Sequence, residues 1–177
     1  IEEFVKEIVR HIDAALFVDR RTGKFVLKLI RDDFDEGSLI TLDESNVDKI
    51  TDFKRPTFGE LINAVTVTYW DMTLGEDSTL TVADIALAQQ QGNTNLSSIE
   101  YPGFINGEIA SRVAQRDLQQ LSTPLVSCTI YANLDAEDLN IGSVFKLNWP
   151  DYDVNNLVMR VTGIAYGDGK TNRVRLQ

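Results

Sequence analysis

The amino-acid sequence predicts an α+β chain with mainly antiparallel sheets. Three observations carry that expectation. Two segments, near the start and over 106–121, repeat apolar residues at helical spacing. Several short runs alternate apolar and polar residues with period two. Gly, Pro, Asn and Asp pairs punctuate the intervals between these runs.

At the start, Ile1, Phe4, Val5, Ile8, Val9, Ile12, Ala15 and Leu16 recur at helical spacing opposite Glu2, Glu3, Lys6, Glu7, Arg10 and Asp13. This is an amphipathic helix that needs a surface to cover. Thr22-Gly23 turns the chain into a strand over 24–30, where Phe25, Leu27 and Leu29 alternate against a polar face. A charged loop spans 32–37, a short strand 39–42, and a further strand 47–53. Arg55-Pro56 breaks the pattern, because the residue before proline is pushed to extended geometry. It divides the chain into an N-terminal helix-and-strand subdomain (1–56) and a second domain (57–177).

In the second domain, Val65, Val67 and Tyr69 alternate with Thr66 and Thr68, which defines a strand over 61–70. Residues 75–78 read as loop, 82–91 as a helix ended by Gly92-Asn93, and 99–101 as a short strand. Asn106 caps a long helix (106–121) whose stripe is Ile109, Ala110, Val113, Ala114, Leu118 and Leu121. Strands are expected at 125–132, 144–149, 157–166 and 171–176, with 150–156 as loop. Gly167-Asp168-Gly169 makes the last two a hairpin.

The 177 residues carry 17 Lys and Arg against 27 Asp and Glu, a formal charge of -10. An acidic chain repels phosphate at long range, which argues against general nucleic-acid binding. Residues 61–111 hold no Lys or Arg, yet include Asp71, Glu76, Asp77, Asp84, Glu100 and Glu108. That stretch reads as a solvated acidic face, or as a surface complementary to basic segments of a neighbouring copy. No apolar run reaches membrane-spanning length. The chain starts without methionine, and a piece of a longer protein is expected.

Motifs for chemistry are incomplete. Gly169-Lys170-Thr171 ends like a phosphate-binding loop, but Ile164 stands where the motif needs glycine and a strand follows. A calcium frame from Asp32 to Asp43 puts Gly37 correctly but Phe34 at a ligand position, and Asp151 to Asn155 has no turn glycine or closing Glu. The acid pairs Asp32/Asp33, Glu76/Asp77 and Glu137/Asp138 sit in polar loops. The single Cys128 and single His11 support neither a nucleophilic pair nor a zinc site. No catalytic, cofactor-binding or metal residue is therefore assigned. Trp70, Tyr101, Trp149 and Tyr152 suit stacking on sugars, although aromatics at strand ends more often pack cores; a module for cell-surface carbohydrate or protein would use Trp70, Trp149, Tyr152 and nearby acids.

Five segments, in order, resemble phage tail-tip and baseplate-hub proteins. Gly23-Lys24-Phe25-Val26-Leu27-Lys28-Leu29-Ile30-Arg31 resembles their G-K-F-x-L-x-L-I-R stretch. Leu61 to Tyr69, following Arg55-Pro56, is similar to their N-x-V-x-V-x-Y strand. Ala110, Ala114 and Leu118 resemble an A-x-x-x-A-x-x-x-L helix. Leu139 to Leu147 resembles the L-x-P-G-D-x-x-x-L hairpin, with Ile141 in place of proline, Ser143 in place of Asp, and Gly142 kept. Met159-Arg160-Val161 resembles the following strand. The resemblance implies a non-enzymatic structural protein of the virion tail, made in the host cytoplasm, with tail-tube-like β-barrel domains covered by a helix. It implies a homotrimeric ring that closes the tail tube, contacts tube and tip or spike proteins, and passes DNA without specific binding.

Overall fold

The computed structural model describes residues 1–167 and 173–177. The elements before the midpoint are α1 (Glu2–Ile12), β1 (Ala14–Val18), β2 (Phe25–Leu29), β3 (Thr41–Leu42), β4 (Val47–Lys54), β5 (Ala64–Asp71), β6 (Glu76–Ala83) and α2 (Ile85–Gln91). After it come β7 (Leu96–Tyr101), α3 (Gly107–Leu121), β8 (Ser127–Ala132), β9 (Val144–Trp149), β10 (Val154–Arg160), β11 (Ile164–Tyr166) and β12 (Val174–Leu176). The α+β class holds. Most pairings are antiparallel, but β3 with β9 and β5 with β7 are parallel. The sheets have the orders β1-β2, β10-β9-β3, β11-β12-β8-β4 and β6-β5-β7. Among the described residues none of them closes into a barrel.

The chain forms two compact units, one of Ile1–Phe53 with Ser127–Gln177 and one of Lys54–Val126. The expected boundary at Arg55-Pro56 lies beside the first crossing. The return crossing at Val126–Ser127 has no counterpart in the sequence reading.

In the first unit, two sheets share a core of Leu42, Val47, Ile50, Ile130, Phe145, Leu147, Trp149, Val161, Val174 and Leu176. Burying this many branched and aromatic side chains is the main stabilising term, at about 1.5–3 kcal/mol for each large one. The 139–147 turn is built on Gly142 and Ser143. Gly142 takes φ +78, and the Asn140 N–H donates to the Ser143 hydroxyl.

The second unit places α3 on the β6-β5-β7 sheet. Val65, Val67, Tyr69, Tyr101, Ala110, Ala114 and Leu118 form its core. Ala110 and Ala114 are small, which lets the helix backbone approach the strands. Asn106 caps α3 by accepting from the Ile109 N–H at 2.9 Å. Ile109 and Leu121, expected in the buried stripe, are instead exposed. Asp117 takes part in the buried face because the Tyr101 hydroxyl donates to it at 2.7 Å.

Four element expectations need correction. The first helix stops at Ile12, because Asp13 turns left-handed (φ 52) and Ala14 begins a strand. Residues 76–83 form β6 rather than a loop followed by helix, and only 85–91 are helical. The strand expected over 157–166 is two strands, separated at Val161–Gly163. The loop expected over 150–156 already contains the start of β10, with a register shift between Val154 and Leu157. The final hairpin pairs Ile164 with Leu176 and Tyr166 with Val174. Its expected turn, including Gly169-Lys170-Thr171, lies outside the described residues.

Candidate functional site

The β1-β2 hairpin places Ala14 opposite Leu29, Leu16 opposite Leu27 and Val18 opposite Phe25. Directly opposed residues share a face, so one face of this two-stranded sheet is apolar throughout. That face is open: Leu16, Val18, Phe25, Leu27 and Leu29 are 40 to 78% exposed. The pattern expected from the sequence is inverted. Val26 and Lys28 are the half-buried residues, and the Lys28 stem lies beside Gly142. Helix α1 continues the theme, with Phe4, Ile8 and Ile12 exposed and no residue buried. Among the described residues no further strand pairs with either edge of this sheet.

The second unit has an open face of different character. Tight turn Met72–Gly75 joins β5 to β6, held by the Gly75 N–H donating to the Asp71 carbonyl at 2.7 Å. The Met72 N–H donates to the Ile105 carbonyl at 3.2 Å, which ties this tip to the loop before α3. Trp70, Met72, Leu74 and Ile105 are exposed there. Trp70 pairs across the ladder with Asp77, and Asp71 with Glu76, so acids border the apolar tip. On the sheet face away from α3, Thr66 pairs with Thr81 and Ser98, and Thr68 with Thr79 and Glu100. Thr66, Thr68, Thr79, Thr81, Ser98 and Glu100 make this face hydroxyl-rich, with no Lys or Arg among those described residues. The strand edges of β6 and β7 are free within the sheet.

The aromatic side chains considered for carbohydrate do not converge. Trp149 and Tyr101 are buried in different cores. Trp70 and Tyr152 are exposed on different units, and Tyr152 stacks on Phe53 at 4.4 Å. The acid pairs Asp32/Asp33, Glu76/Asp77 and Glu137/Asp138 are exposed. Within the Asp32 to Asp43 frame, Asp35 accepts from the Gly37 N–H and Asp43 from the Ser45 N–H. Such bonds spend the carboxylates on local turns, and the Ser45 hydroxyl, which also donates to Asp43, together with the Ser45 N–H holds Asp43 below the ordinary carboxylate range. Among the described residues, no three His, Cys, Asp or Glu side chains converge as for a metal. His11 packs on α1 with Nδ1 2.7 Å from the Glu7 carbonyl, and Cys128 lies on β8 with its thiol pushed up to about 11 by burial. Among the described residues, no helix is long and apolar enough to cross a membrane.

Open sheet edges and uncovered apolar faces are surfaces suited to cover by a further segment or another chain. The particular family follows from comparison: residues 1–164 match the family described as "Putative phage tail protein", and the chain belongs to it. It is a tail protein, and its place is the virion tail. No curated protein sequence matches the chain.

Three solved structures share the fold. A chain from the virion of a native gene transfer agent particle matches with a TM-score of 0.69 at 12% identity, over 97% of this chain and 37% of that one. The 43 kDa tail protein of prophage MuSo2 from Shewanella oneidensis matches at 0.61 and 13% identity, over 99% and 49%. A tail protein from Neisseria meningitidis MC58 matches at 0.64 and 12% identity, over 96% and 51%. This chain therefore spans about half, or less, of the length of these structures.

Proposed function

We propose that the chain is a structural component of a tail tip or baseplate hub, assembling as a homotrimeric ring that closes the tail tube and lets DNA pass, without catalysing a reaction. The observation that carries this reading is the pair of uncovered faces, the apolar β1-β2 hairpin and the acid-bordered β5-β6 tip, in a member of a tail-protein family. A ring subunit needs two unlike faces, one for each neighbour.

In this reading the two core-forming sheets of the first unit are the tail-tube-like layer, extended by neighbouring copies rather than closed within one chain. The hydroxyl-rich face of β5-β6-β7 lines the channel. Its Thr and Ser hydroxyls and Glu100 do not grip phosphate, so DNA slides past without being held. Tube and tip or spike proteins meet the two ends of the ring.

Native mass spectrometry and electron microscopy test the reading. The expected result is a closed ring of three chain masses with a central opening. A monomer at all concentrations, or a ring with the Thr66 face on its outer rim, would refute the ring or the channel assignment respectively.

A further inference from the structure

We propose that the β1-β2 hairpin is a flap, held to the body of the first unit by cationic side chains, which opens and melts while the core stays folded. Three basic residues of the hairpin reach the body. Arg20 stands over the Tyr166 ring, 3.9 Å from its centroid. Arg21 pairs with Asp138. The Lys28 stem, with Ala15 beside it, faces Gly142. At the hairpin base a fourth cation works from the other side: Arg160 Nη2 donates to the Arg31 carbonyl at 2.7 Å, and its Nη1 to the Gly142 carbonyl at 3.3 Å. Tyr166, Asp138, Gly142 and Arg160 belong to the same compact unit as the hairpin.

Apolar burial adds little to this fastening. On the inner face Ala15 pairs with Lys28 and Phe17 with Val26. All four are only half-buried, and none is among the side chains that pack on the core of the first unit. No residue of the segment 1–31 is fully buried, so the hairpin leaves without opening a hole in the core. The Arg21 and Asp138 side chains are 68 and 71% exposed, and water and salt screen their attraction. A surface cation over a ring is a modest contact too. Elements held in this way open before the rest of a structure. The ends of the hairpin allow the motion. Asp13, left-handed at φ 52, precedes β1, and the Ile30 N–H closes the base by donating to the Asp13 carbonyl at 2.8 Å. Off the body, a two-stranded sheet is marginal by itself, so opening delivers its ladder amides to solvent.

Hydrogen exchange read by mass spectrometry on the 177-residue chain tests the flap. Peptides covering 14–29 are compared with peptides covering β9, whose Phe145, Leu147 and Trp149 lie in the core. Hairpin amides are expected to exchange at least about a hundredfold faster than those of β9. Raising NaCl from about 0.05 M to about 1 M is expected to quicken the hairpin roughly threefold and leave β9 unchanged. Arg20→Gln is expected to quicken it about threefold, and Arg21→Glu about fivefold, since the second sets like charges together. Adding Asp138→Lys to Arg21→Glu restores opposite charges and is expected to return the rate to within about twofold of the unsubstituted chain. Unchanged β9 exchange in each variant establishes that the body is folded. Hairpin amides as protected as those of β9 would show that the hairpin opens only with the core, and would overturn the flap. Fast hairpin exchange that neither salt nor the substitutions move would overturn the cationic fastening and the proposal with it, as would a double variant no slower than Arg21→Glu alone.

Discussion

Replacing Tyr101 with phenylalanine removes one oxygen from the middle of the second unit. Tyr101 is 3% exposed and Asp117 is 6% exposed. The hydroxyl donates to Asp117 Oδ2 at 2.7 Å, and Arg116 donates to Oδ1 through Nε at 3.0 Å and Nη2 at 2.8 Å. The bond ties β7 to α3 across the core, and its acceptor is a buried group that water does not readily reach. A hydrogen bond to a charged partner contributes about 1.5–3 kcal/mol, more than a neutral one, because its loss leaves a desolvated lone pair. Tyr101→Phe preserves the ring and its packing on Phe104 at 5.0 Å, so cavity terms are small. The expected cost is about 2 kcal/mol. Urea unfolding followed by circular dichroism is expected to show a midpoint lower by about 1–2 M at unchanged slope. A double-mutant cycle with Asp117→Asn is expected to return a coupling above about 1 kcal/mol. A midpoint shift under about 0.3 M, or zero coupling, would refute the claim that this bond fastens the helix to the sheet.

Other predictions follow from the same geometry. Asn63 is fully buried and donates to the Gln91 side chain at 2.6 Å and to the Asn93 carbonyl at 2.9 Å, while accepting from the Asn95 N–H; Asn63→Ala is expected to destabilise by about 2–4 kcal/mol in the same unfolding assay. Gly142→Ala forces a Cβ onto a backbone at φ +78 and to 3.3 Å from the Lys28 side chain, with an expected cost of about 1–2 kcal/mol by thermal unfolding. Burial raises the Cys128 thiol from 9.0 to about 11, so native alkylation at pH 8 is expected to run roughly a hundredfold slower than in urea. Since the folded value is the higher one, the stability it contributes is present below pH 9 and is lost as pH rises towards 11. An alkylation rate equal in native and unfolded protein would contradict this placement.

Much of the fold was legible because local chemistry and tertiary packing agree. The strand at Val65, Val67 and Tyr69 and the cap at Asn106 follow from period and side-chain oxygen alone. Strand β6 was missed because Glu76 and Asp77 are poor strand formers, although Thr79-Leu80-Thr81-Val82 alternates; pairing with β5 along its whole length overrides the propensity. The break at Asp13 was missed because Ala15 and Leu16 fit the helical stripe as well as they fit a strand, and only the left-handed Asp13 decides between them. The open faces were not legible. An alternating strand says which residues share a face, and nothing in Phe25, Leu27 and Leu29 says whether the cover comes from the same chain or another. The resemblance placed the chain among tail proteins, while the return crossing at Ser127 depends on contacts far apart in sequence, for which a period carries no signal.

The most direct measurement of a structural role at the tail tip is electron microscopy of intact tails carrying a labelled copy of this chain. The account predicts label at the distal end alone, arranged about the tube axis with three-fold symmetry. Label distributed along the tube, or tails that assemble normally with the chain absent, would contradict it.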